Sequence, residues 1–259
     1  MILFPFLSQL NLSVKRRVVT AAFVVFSASS YGQVNDTSNY FPPPPGSNPT
    51  VSSVLRSQKH LVFIDITQNM WLHLPNEITT KFISGGFNIS IFYDFFITKK
   101  YFGIAPGISF SNATVKSNAI PVKNPAAFPG GFTDMIVVSD SPVHYLRNKI
   151  STSYLDLPVE FRFRIKPDER GKNFWFAPGV RAGVLLSDFW KKKIDSPGNW
   201  NKEKIYNIQF IEKFHYGVSL RAGYYKFGVY VFYSLTDLFE RKQGTLLTPF
   251  SVGIALTPL

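Results

Sequence analysis

The chain has 259 residues, with 28 Lys and Arg against 16 Asp and Glu, a net charge of +12 and no cysteine. This composition excludes a disulfide framework, cysteine-ligated metal and thiol catalysis. The absence of any apolar run of the ~18 to 20 residues that a spanning helix requires also excludes a helical membrane protein. Aromatic residues reach 16%, 26 of them Phe, while charged residues fall to 17%, below the usual ~25%, which suits a surface in contact with something apolar.

At the N-terminus, Lys15, Arg16 and Arg17 precede an apolar stretch over residues 18–28, followed by Ser30 and Gly32 at the −3 and −1 positions of a small-x-small site. A charged region, a short apolar core and small residues before a cut are the marks of an export signal, so residues 1–32 are predicted to be a cleaved signal peptide, with residues 1–14 as an odd apolar extension. Residues 33–58 carry Pro42 to Pro45 and many Ser, Asn and Thr. Proline fixes φ and offers no N–H to a sheet, so this segment is predicted to be an extended periplasmic tether. Export also removes nucleic acid as the partner that so basic a chain would otherwise suggest.

From residue 59 onward the dominant period is two, the signature of strands with unlike faces. Val62, Ile64, Ile66, Met70 and Leu72 form the oily face of a first strand. Residues 83–97 follow, with Phe87, Ile89, Ile91, Tyr93 and Phe95 on one face and Asn88, Ser90 and Asp94 on the other. The third strand shows Phe102, Ile104, Ile108 and Phe110. The fourth alternates Leu155, Leu157, Val159, Phe161 and Phe163 with Asp156, Glu160, Arg162 and Arg164. Phe174, Phe176, Val180 and Val184 mark the fifth, and Phe214, Tyr216, Val218 and Leu220 the sixth. Phe227, Val229, Val231 and Tyr233 mark the seventh, and Phe250, Val252, Ile254 and Leu256 the eighth.

Eight segments, each with the ~9 to 11 residues of a tilted membrane strand, predict an all-β fold over residues 59–259: an eight-stranded antiparallel up-and-down transmembrane β-barrel in the outer membrane. Short turns at 98–100, 167–172 and 225–226 alternate with longer loops, including 119–148 and 191–203, so the short turns face the periplasm. Tyr93, Phe95, Phe102, Phe163, Phe174, Phe176, Tyr224 and Phe227 all fall beside the short turns, where an aromatic girdle belongs. A soluble lipid-binding barrel shares the alternation with its faces reversed, but would crowd eight strands' worth of large rings into a space only just wide enough for side chains.

The inward-facing ionisable set is Asp65, Asp94, Asp156, Glu160, Arg162, Arg164, Arg181, Lys213, His215 and Arg221. Near-cancelling charges of this kind read as a network of internal salt bridges that plugs the barrel, since buried charges persist only when paired. A narrow pore lined by the same groups is the competing reading. Asp134, Asp140, His144, Asp188 and His73 lie toward the loop rim, where a rim-active enzyme would place its groups, but no spacing assigns a base and its orienting partner. No catalytic, cofactor or metal residue is assigned. Lys191, Lys192, Lys193 and Lys202, with Trp190 and Trp200 beside them and Lys204 beyond, form a basic loop suited to anionic lipid such as lipopolysaccharide.

The stretches Gly86-Phe87-Asn88-Ile89-Ser90 with Tyr93-Asp94, Tyr154 to Arg164, Arg221-Ala222-Gly223-Tyr224, and Tyr233 to Phe239 give the chain from about residue 60 onward a resemblance to the PorT-like outer-membrane β-barrel domain family. The Tyr154-Leu155-Asp156-Leu157-Pro158-Val159-Glu160-Phe161-Arg162 block is its most specific part. The resemblance implies eight strands, no catalytic residues, and a possible link to the secretion machinery with which the family's founder is associated. The chain departs from the usual barrel pattern by ending Thr257-Pro258-Leu259 rather than on an aromatic.

Overall fold

The computed structural model describes residues 59–98, 101–124, 131–137, 145–165, 173–196 and 199–257. The export segment 1–32, the tether 33–58, Asp140 and His144 lie outside the described residues. The described chain forms β1 (Lys59–Leu72), β2 (Gly85–Thr98), β3 (Phe102–Lys116), β4 (Ala119–Asn124), β5 (Phe132–Val137) and β6 (Tyr145–Ile165). It continues with β7 (Phe174–Ser196), β8 (Asn199–Tyr206), β9 (Phe214–Tyr224), β10 (Phe227–Ser234) and β11 (Thr248–Leu256).

Eight of these strands close a ring: β1, β2, β3, β6, β7, β9, β10 and β11 pair antiparallel in that order, and β11 pairs back onto β1 through Ile64 opposite Leu256 to Leu72 opposite Thr248. They correspond one for one to the eight alternating segments of the sequence, and closure leaves the ring without an unpaired edge. Alternation sorts the side chains as expected. On β1, Phe63, Asp65, Thr67, Asn69 and Trp71 are buried, while Ile64 and Ile66 are turned out. Ile66, Ile91, Leu157, Val180, Val229 and Ile254 are each more than half exposed, an apolar girth of the kind that marks a membrane or protein contact surface.

At the end of the ring that carries the short turns, aromatic rings meet from strand to strand. Phe102 and Phe163 lie 4.9 Å apart between centroids, and Phe174 and Tyr224 4.8 Å. Phe176 stands opposite Phe163, and Phe227 opposite Tyr224.

The opposite end departs from the expectation of plain loops. Residues 119–148 contain β4, β5 and the start of β6, with β4 paired to β5, and residues 191–196 and 199–203 are strand, not loop: β7 runs on to Ser196 and pairs with β8. Pro121 and the Lys-rich composition masked these strands, because proline demotes a strand reading and lysines break the apolar alternation. The strands and loops at this end enclose a second apolar cluster that includes Trp71, Ile120, Met135, Trp190, Phe239 and Leu247. Backbone bonds tie it together: Thr133 donates to the Gln243 carbonyl at 2.9 Å, Leu238 to Leu247 at 2.8 Å, and Glu240 to Phe210 at 2.7 Å. Burying side chains of this size is worth about 1.5–3 kcal/mol each, so this end is a folded cap.

Candidate functional site in the barrel lumen

Inward positions on five strands form two buried groups of ion pairs, one above the other in the lumen. Asp65 on β1, Asp94 on β2, Glu160 on β6 and Asp156 on β6 are fully buried, and each carboxylate meets an arginine. Arg221 on β9 grips Asp65 with two nitrogens, Nη2 to Oδ2 at 2.6 Å and Nε to Oδ1 at 3.2 Å, and its Nη1 bonds Glu160. Arg162 reaches Glu160 at 3.0 Å and Asp94 at 3.5 Å, while Arg164 also bonds Asp94. Nearer the cap, Asp156 accepts from Ser111 Oγ at 2.7 Å, bonds His215 Nε2, and lies 3.6 Å from Arg181.

The network straps walls of the ring that are not neighbours. Asp65 and Arg221 are 156 residues apart in sequence, and β11 and β10 separate their strands. Delocalised guanidinium forks suit such sites, since they satisfy carboxylates bidentately and tolerate burial.

Of the predicted lumen residues, Lys213 is the exception. It is exposed just ahead of β9, where the strand's alternation has not yet begun to aim side chains inward. Its loss from the set leaves four carboxylates against four arginines, a closer balance than the sequence suggested.

Aromatic rings occupy the lumen beside the ionisable set. Phe63, Phe92, Tyr230 and Phe232 are buried in one cluster. Arg162 lies over Phe92 at 4.6 Å, Arg221 over Tyr230 at 4.5 Å and Arg181 over Phe232 at 3.7 Å, so the rings neutralise the faces of cations whose edges meet carboxylates. Strand parity alone marks Phe63 and Phe92 as inward; their polar duty was not legible because an apolar residue among polar ones reads as an interruption. Glycines make the room. A Cβ on Gly107 would stand 2.7 Å from Phe92 Cδ1, and one on Gly183 2.9 Å from His215 Nε2.

The arrangement compensates charge and fills space. Asp65, Asp94, Asp156 and Glu160 are each engaged by an arginine. Between lumen and cap, a cavity of ≈ 20 Å³ lined by Asn69, Trp71, Val115, Ile150, Thr152 and Ser251 has room for one water.

The rim candidates stand apart. Asp134 accepts from Thr245 Oγ1 at 3.0 Å, Asp188 from the Ile208 N–H at 2.6 Å, and His73 Nδ1 lies 3.1 Å from Thr248 Oγ1. The basic loop is instead the β7–β8 hairpin. Trp190 is buried in the cap, donates to Asn148 Oδ1 at 2.6 Å and lies 4.8 Å beneath Lys192 Nζ, so it flanks the lysines as expected but is not a surface ring. Lys192 pairs with Glu203 at 2.8 Å, Lys191 and Lys202 are exposed, Lys193 is half-buried, and Trp200 stands opposite Asp195 on β8.

The profile of the family described as outer membrane protein beta-barrel domain matches residues 59–240. No curated protein matches the sequence. Among solved structures, the chain is similar to Ail, the attachment invasion locus protein of Yersinia pestis, solved in complex with the heparin analogue sucrose octasulfate. The identity is 12% over 77% of this chain and 96% of that one, with a TM-score of 0.31.

Proposed function

The chain belongs to the outer membrane protein beta-barrel domain family, and from that premise we propose that it is a sealed, non-enzymatic barrel of the envelope, which anchors a folded cap at the outer surface. One observation carries this reading: four buried carboxylates and four arginines compensate one another across the lumen. The lumen set Asp65, Asp94, Asp156, Glu160, Arg162, Arg164, Arg181 and Arg221 acts in it as a plug. Delivery by the signal segment 1–32, a periplasmic tether over 33–58 and contact with outer-leaflet lipid belong to the same reading. Work beside a secretion machinery rests on the PorT-like resemblance of Tyr154 to Arg164.

Planar-bilayer recording of the purified, refolded protein tests it. We expect no conductance from the wild type and none from Glu160→Gln, even though that variant unfolds at lower temperature. A stable open channel whose ion selectivity changes in Glu160→Gln would make the lumen a conduit and the protein a porin. Cell fractionation supplies a second check: the protein should appear in the outer-membrane fraction with heat-modifiable gel migration.

A further inference from the structure

Strand register brings together cations that are far apart in sequence. Lys116 on β3 stands opposite Lys149 on β6, Lys149 opposite Lys191 on β7, and Lys191 opposite Lys204 on β8. Four lysines thus form a single row across four adjacent strands. One pleat farther out, Lys193 on β7 stands opposite Lys202 on β8 and starts a second row. Like charges directly opposite on a sheet repel and destabilise it, and at a strand spacing of about 4.8 Å the first row spans only about 15 Å.

The rows lie on the outward face, continuous with the apolar band. Along β3 that face runs Ile104, Ile108, Phe110, Asn112, Thr114, Lys116. On β3 and β6 the intervening rows are hydroxyl and amide: Asn112 donates to Ser153 at 2.9 Å, and the Thr114 and Ser151 hydroxyls lie 2.9 Å apart. Phe189 and Tyr206 sit beneath the lysines, with Lys204 Nζ 3.9 Å and 4.4 Å from their ring centroids. The acid of the hairpin, Glu203, bonds Lys192, whose inward parity puts the pair on the other face. Asp195 follows one row beyond Lys193.

Height selects the ligand. Six residues separate Phe110 from Lys116, which at about 3.3 Å per residue and a tilt of about 40° puts the row about 15 Å above the last apolar level of β3, and one pleat above the Phe189 and Tyr206 rings, which suit the headgroup level. Phospholipid headgroups add only about 5–8 Å per leaflet. We propose that the Lys116–Lys149–Lys191–Lys204 row binds the phosphorylated saccharide of an outer-leaflet glycolipid, as in lipopolysaccharide. This rests on the reading of an outer-membrane barrel with its cap outside.

The test uses full-length protein refolded into phospholipid vesicles and measures retention of lipopolysaccharide, intact or enzymatically dephosphorylated. The wild type is expected to prefer the intact form about tenfold at low ionic strength, with the preference shrinking as salt screens the row. Quadruple Lys→Gln replacement at 116, 149, 191 and 204 should abolish the preference, whereas Lys192→Gln, on the opposite face, should keep it. Should the quadruple variant lack heat-modifiable migration, Lys191→Gln alone is read, with a partial loss expected. Equal retention of both forms, unchanged preference in the folded variants, or complete competition by equimolar soluble inositol hexakisphosphate overturns the proposal. Failure of the wild type to insert overturns the barrel reading along with it, whereas insertion without preference overturns the glycolipid site alone.

Discussion

Glu160 is shared by Arg162 and Arg221, so neutralising this one carboxylate removes a partner from two buried cations, leaving Arg221 with Asp65 and Arg162 with Asp94. Breaking a buried pair in this way costs about 3–5 kcal/mol, and Glu160→Gln should lower the temperature of the heat-modifiable gel shift accordingly. Lys192 and Glu203 form the contrasting case: the glutamate side chain is 45% exposed, and solvent screens such pairs to about 1 kcal/mol or less. Glu203→Gln should therefore leave the shift temperature nearly unchanged. Equal losses in the two variants would mean that the lumen is wet enough to screen its charges, which would count against a plug. The identities of the lumen residues were legible residue by residue, because Asp94, Asp156, Glu160, Arg162 and Arg164 sit on the polar parity of otherwise oily strands. Lys213 was misjudged by the same rule, since parity is meaningful only inside a strand and β9 begins at Phe214.

At the scale of elements, the ring and the cap have different origins. The eight ring strands carry period-two alternation and three of their connections are short turns, so their existence follows from local signals. The cap is assembled from β4, β5, the outer halves of β6 and β7, β8 and the segments on either side of Phe239, none of which has an apolar face that announces it. Its cohesion comes from side chains such as Leu247, which is fully buried among them. Leu247→Ala should cost about 2–5 kcal/mol locally and show as faster proteolysis of the cap at the outer surface, with the heat-modifiable shift of the ring preserved. If the shift were lost with the cap, the two would be one cooperative unit.

For the molecule as a whole, the decisive boundary is between the barrel's faces. Val180 is 52% exposed and lies between Val159 and Val218 in the register, midway along the apolar band. Val180→Arg should weaken insertion by about 2–4 kcal/mol, read as loss of folded protein in vesicles, with the lumen network untouched. The sequence by itself determined which side chains face lipid and which face the lumen, and how many strands divide them, because inside against outside is a period-two property written within each strand. Only the tertiary structure decided which of those residues meet. Asp65 finds Arg221 across 156 positions, and Lys116, Lys149, Lys191 and Lys204 fall into one row, through register between strands distant in the chain. Register depends on ring closure and on bulges such as the one beside Ser153 and Tyr154, and no single strand carries that information.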